Sequence, residues 1–167
     1  MVWKLRNMLK EYVAELAKYK KLGHQVLMQV TDEALNYLPG SECNSIAIIV
    51  CHLNGNLLSR FTDFLTTDGE KPWRDRTAEF GKNHYTRQEV ETLWTIGSSQ
   101  LEITLAELTN DDLPKMVSIK GNSMTVDRAL CRTLAHVAYH VGQMVLLGRV
   151  TAGENWQYLS TPPAPKA

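Results

Sequence analysis

The chain has 167 residues, enough for one domain with a hydrophobic core and too few to argue for two, so a single domain spanning 1–167 is expected. Lys plus Arg and Asp plus Glu each number 18, so the formal charge is zero and no general attraction to nucleic acid or to an anionic membrane follows. No segment has the apolar length of a membrane span, and the N-terminal MVWKLRNMLKEYV interrupts its apolar positions with charge, unlike a secretory signal.

Cys43, Cys51 and Cys131 are odd in number and lack metal-knuckle spacing, which reads as reduced thiols in a cytoplasmic protein. From Val2 to about Val30, Leu5, Met8, Leu9, Tyr12, Val13, Leu16, Tyr19, Val26 and Val30 recur at three- and four-residue steps, predicting an amphipathic helix with a solvated lysine-rich face. TDEALNYLPG has an acidic start and a Pro-Gly stop, so a short helical turn reverses the chain there. A second long helix is predicted from a cap at Asn44 or Ser45 through Thr66.

The stretch from Thr67 to Tyr85 has no period, and a connection of that length reads as a lid or a crossover. Thr86 and Glu89 form a capping-box pattern that opens a third helix, ending near Asn110. KMVSIKGNSMTV places a Gly-Asn turn between two short apolar and β-branched runs, predicting a small β-hairpin. A fourth helix starts near Thr125, with Thr125 or Asp127 supporting its first turn, and runs to about Val150. Four long helices with one long connection make an all-α four-helix bundle. Trp156, Tyr158 and Leu159 are expected to pin the chain to the bundle, and the terminal TPPAPKA to be extended or frayed.

Within the fourth helix, HVAYH sets His136 and His140 one turn apart on one face, where two imidazoles can reach a single ion. The pair alone is a weak signal. Arg132 and Gln143 extend it into a polar stripe on an otherwise apolar helix, and buried polar stripes need partners. The second helix carries a matching stripe of His52, Asn56, Ser59 and Asp63. Three neutral imidazoles from two helices suit one divalent transition metal, zinc or nickel ahead of iron or manganese, and leave coordination positions free. Val137 follows His136, so the glutamate of HExxH is absent and no general base is declared. Asn56 and Gln143 are candidates to support the ligands. Trp73, Arg74 and Arg76, with Glu79 and Phe80, are candidates for a lid that binds an anionic substrate group, a reading weighed equally against a plain surface loop. Gly142 is read as permitting close helix packing, Cys51 as a core residue, and His24 and His84 as solvent-facing or locally bonded.

NSIAIIVCHLNGN together with HVAYHVGQ resembles the DinB-like superfamily of bacterial metal-binding bundles, and DGEKPWRDR, AEF and WQYLSTP are similar to a branch of it catalogued as a domain of unknown function. The similarity runs from about Asn44 to Pro162. It implies a bundle in up-down-down-up order, which requires the long crossover after the second helix, and a histidine triad that carries over onto His52, His136 and His140. Characterised members of the superfamily are metal-dependent transferases that conjugate low-molecular-weight thiols such as bacillithiol or mycothiol, or isomerases that use mycothiol.

Two functions are therefore expected to compete. One is an enzyme in which a metal activates a thiol or water against a small electrophile, with a small-molecule substrate and a low-molecular-weight thiol as partners. The other is a non-catalytic, homodimeric scaffold or metal-responsive binding protein. Nucleic-acid binding is disfavoured by the zero net charge and the lack of a basic-aromatic motif. An open cavity beside the histidines would favour the enzyme, and full enclosure the scaffold.

Overall fold

The computed structural model describes residues 7–81 and 83–160. The predicted helical positions Val2–Arg6 and the tail from Thr161 to Ala167 lie outside them. Four long helices form the body: α1 (Met8–Leu27), α3 (Ile46–Phe61), α5 (Arg87–Glu107) and α6 (Val126–Ala152). Between them stand two single-turn helices, α2 (Asp32–Leu35) and α4 (Arg76–Glu79), and the hairpin β1 (Met116–Ile119) and β2 (Asn122–Thr125). None of the described helices is long and apolar enough to cross a membrane.

Apart from α1, whose Asn7 makes no side-chain cap, the helices start where the sequence can satisfy free N–H groups. Thr31, Ser45, Asp75 and Thr125 accept from the third amide beyond them, and Thr86 with Glu89 forms a complete capping box. Four of the five residues in Ile46–Val50 are β-branched, which lowers helix propensity, yet all five are buried to 3% exposure or less. Tertiary burial on every side carries this turn, and it anchors α3 at the centre of the bundle.

Paired contacts fix the helix directions. Tyr12 bonds Asp127 near the starts of α1 and α6, and Val26 packs at Gly148 near their ends, so these two run parallel. Asn54 meets Gly97, and the Phe61 carbonyl accepts from Thr104, so α3 and α5 are parallel as well. Leu9, at the start of α1, donates to Asn110 beyond the end of α5, which makes those two antiparallel. The order is up-down-down-up, as the resemblance implied, and the 62–86 connection must cross the length of the bundle.

Three readings of the sequence need correction, and α1 ends at Leu27, short of the expected Val30. The helix predicted through Thr66 ends at Phe61, because its last carbonyl is taken by Gln100 and Thr104 of α5 and Asp63 turns the chain at φ 48°. The hairpin turn is Lys120-Gly121, one residue earlier than Gly-Asn: Ile119 pairs with Asn122, and both turn residues have positive φ, the two-residue turn that suits strand twist. Gly142 is exposed with open space where a Cβ would point, so it does not serve close packing. That role belongs to Gly97, where a Cβ would stand 2.7 Å from Asn54 Cα.

The first half of the crossover is tied to α3 and to the hairpin. Ser59 Oγ donates to the Gly69 carbonyl and accepts from Lys71 N–H. Asp68 accepts from the Ser118 hydroxyl and from the backbone of Glu70, Lys120 and Gly121, which holds its carboxyl far below the usual carboxylate range. Past α6, Trp156 packs on Gly148 while Arg149 stacks over the exposed Tyr158 ring, so the 156–159 segment lies on the bundle as expected.

Candidate metal centre

α3 and α6 run antiparallel, and His52 of α3 meets His136 and His140 of α6 midway along both. One nitrogen from each ring lies within 4.8 Å of the others. His52 and His140 are buried and His136 is half-buried. The rings stand edge to face, with centroids 4.6 to 5.1 Å apart, and Phe80 covers His52 at 4.6 Å.

Hydrogen bonds behind the rings set their tautomers. His52 Nδ1 lies 2.8 Å from Glu79 Oε2, and a carboxylate can only accept, so Nδ1 carries the proton and Nε2 offers a lone pair inward. His140 Nδ1 likewise faces Gln143 Oε1 at 3.1 Å. Burial, then the neighbouring rings and the cations Arg60 and Arg74, push His136 down to about 3. Burial and His52 lower His140 to about 4, with Gln143 opposing. Both rings are therefore neutral donors at physiological pH.

Glu79 was placed in the loop by sequence, but its role was not foreseen there. It is buried at 6% exposure and clamped by Arg74, with Nε to Oε1 at 2.7 Å and Nη2 to Oε2 at 2.8 Å. Burial alone would raise its pKa, but the Arg74 bonds and then His52 outweigh that and hold it ionised. A Cβ at Gly55, three residues past His52 on α3, would collide with the Glu79 carboxylate. The chain Arg74–Glu79–His52 has the order in which carboxylates orient metal-binding imidazoles.

The donor set fits a divalent ion. His52 Nε2 and His136 Nε2 are 3.1 Å apart, and two imidazoles on one ion at about 2.0–2.1 Å stand about 2.9–3.4 Å from each other. His136 Nδ1 is buried without a partner, and an ion held at Nε2 would leave it so. The three histidines could hold a metal ion.

Beside them opens a cavity of about 430 Å³, lined by both α3 and α6 and by the hairpin turn, a size that admits a small organic molecule. Asn56 is buried and lines it, as does Gln143. Of the proposed lid residues, Arg74 is committed to Glu79 with 2% side-chain exposure, Arg76 lies over the Phe80 ring at 5.6 Å at the cavity edge, and Trp73 is 58% exposed and lines no part of it. Asp63 falls outside the helix and Ser59 serves the crossover, so neither joins the site. Cys51 is half-buried and accepts from Tyr85 Oη at 3.3 Å rather than packing in the core. All three cysteines are free, and His24 and His84 are exposed. Arg60, a cavity residue, was missed by sequence. It stands about 80° around α3 from His52 at 100° per residue, off the line traced through Ser59, and its long side chain makes up the difference.

The model of a family described as "Protein of unknown function (DUF1572)" matches residues 4–165. No curated protein matches. Among solved structures, a DinB-like protein from Bacillus cereus ATCC 10987 is similar with a TM-score of 0.58 and 15% identity, over 84% of this chain and 91% of that one.

Proposed function

The chain belongs to the DUF1572 family and has a DinB-like fold, and from that premise we propose that it is a metal-dependent enzyme acting on a small electrophilic molecule. His52, His136 and His140 hold one divalent transition ion, zinc or nickel ahead of iron or manganese. When bound, that ion lowers the pKa of a thiol or water so that a nucleophile exists at neutral pH. A low-molecular-weight thiol is the proposed cosubstrate, since none of the chain's cysteines joins the histidine cluster.

The observation that carries this reading is the open cavity of about 430 Å³ directly beside the histidines. A purely structural ion would be enclosed by protein ligands. The chain's own contributions follow from the geometry. Glu79 keeps the proton on His52 Nδ1 and fixes that ring, Gln143 does the same for His140, and Phe80 covers the His52 ring on the crossover side.

Elemental analysis of protein purified without a histidine tag tests the proposal. One equivalent of a transition metal is expected, lost in His52→Ala and His136→Ala while circular dichroism stays helical. A wild-type protein that takes up no stoichiometric metal, or variants that retain it, would end this reading. A loaded protein that turns over no electrophile with thiols or water would leave the scaffold or sensor role in its place.

A further inference from the structure

The end of the cavity away from His140 is built from cations. Arg60 stands on α3 eight residues past His52, and Arg132 stands on α6 four residues before His136. Because the helices are antiparallel, both arginines line that end, and Lys120 closes it from the hairpin turn. Among the described residues no carboxylate lines the cavity.

The acids behind its wall are already shared. Glu79 is engaged by Arg74 and His52, and Glu70 sits 3.4 Å from Arg74 but 4.0 Å from both Arg60 and Lys120. Arg132 makes only a long contact to Met124 Sδ at 3.6 Å. Arg60 has 15% side-chain exposure, and its Nη1 is buried with no hydrogen-bond partner. A buried guanidinium donor left unpaired is costly, and a planar fork of such donors matches carboxylate or phosphate.

We propose that Arg60, Arg132 and Lys120 form a subsite for the anionic group, carboxylate or phosphate, of the small molecule whose reacting end lies at the histidines. The proposal rests on reading the cavity as the substrate site, and it replaces Arg74 of the sequence reading with cations that have no ion pair closer than 4.0 Å. It also sets a separation. The arginines stand two turns from His52 on α3 and one turn from His136 on α6, about 12 Å and about 6 Å of rise, so the anion is bound apart from the reacting atom. A compact anion would occupy one end only.

Calorimetric titration of the full chain, as purified and after chelation, with inorganic phosphate and separately with succinate provides the test. Saturable binding of at least one is expected, the tighter identifying the headgroup, and it should weaken in about 0.5 M salt as charges are screened. Arg60→Gln and Arg132→Gln should each weaken it about tenfold, with metal content unchanged. Arg128→Gln, on the exposed face of α6 outside the cavity, should leave it within about twofold. Should Arg60→Gln fail to fold, the exposed Arg132 carries the comparison. No saturable binding of either probe, or binding indifferent to Arg132→Gln, overturns the subsite. Binding of anion by a protein that takes up no metal would instead sink the proposed enzyme and leave the subsite standing. The reverse outcome would sink the subsite alone.

Discussion

The seam between α3 and α5 and the seam between α3 and α6 share one helix and are built by opposite rules. Toward α5, α3 is pressed to backbone contact at Gly97, and its terminal carbonyl is capped by α5 side chains. Toward α6, the same helix presents His52, Asn56 and Arg60 to a cavity, with a one-turn helix from the crossover wedged beside Gly55. Unpartnered buried polar atoms occur on both, Asn54 Oδ1 and Trp94 Nε1 toward α5 and Arg60 Nη1 and His136 Nδ1 toward α6. The closed seam, however, is held by backbone contact and capping, and the open one carries the lowered imidazole pKa values. Stability lost on one side should therefore leave binding intact, whereas losses on the other should remove both.

Glu79→Ala is the most severe way to break that contrast. It leaves the guanidinium of Arg74, with 2% side-chain exposure, without its bidentate partner and with only the 3.4 Å contact to Glu70, and breaking a buried pair costs up to about 3–5 kcal/mol. It also frees the His52 ring, and loss of such a supporting carboxylate lowers metal affinity about 10- to 100-fold. Urea unfolding and competition with a chelator read the two effects separately. Glu79→Gln should keep more of the stability than of the affinity. Equal metal affinity in all three proteins would show that Glu79 serves only the fold.

Gly97→Ala probes the closed seam. A methyl there stands 2.7 Å from Asn54 Cα, a backbone atom that cannot swing aside, so α3 and α5 must separate. Overpacking of this kind costs about 1–3 kcal/mol, against a gain of up to about 1 kcal/mol from the better helix propensity of Ala. A net loss of about 1–2 kcal/mol is expected, with metal uptake and anion binding unchanged. A variant of normal stability that loses metal would show that the two seams are not independent.

These contrasts also explain what was legible in the sequence. The four helices, their caps and the apolar faces were readable because helical period and capping are local codes. His52, His136 and His140 were readable as one group for the same reason, since each lies on a regular stripe and only the pairing of two stripes had to be inferred. Glu79 lies in an aperiodic crossover, and nothing local links it to Gly55 or His52, which meet it only when the chain folds back. Arg60 was lost to an assumption that the polar stripe on α3 continues through Ser59 and Asp63. Crossover backbone claims Ser59, and the helix has ended before Asp63. Helix ends set by tertiary hydrogen bonds, as at the Phe61 carbonyl, carry no signal of their own.

The smallest expected effect lies on the α1–α6 seam, where Tyr12 Oη donates to Asp127 Oδ1 at 2.9 Å. Burial first, and then Asp127, push the phenol from its ordinary 10 up to about 12. A folded-state pKa above the unfolded one means that between pH 10 and 12 the native protein keeps a proton that the unfolded chain has released. Stability from this group is thus fully present below pH 10 and drains away as pH rises through about 12. Tyr12→Phe should cost about 1 kcal/mol at pH 7 for the lost hydrogen bond. Above pH 10 the variant has no phenol to ionise, so its stability should fall less steeply than that of the wild type and the two curves should converge. Urea unfolding from pH 7 to 11.5 measures the gap. A constant gap would mean that the Tyr12 proton is not held by the folded seam, while metal uptake that changed with Tyr12→Phe would extend the influence of α1 into the open side of the bundle.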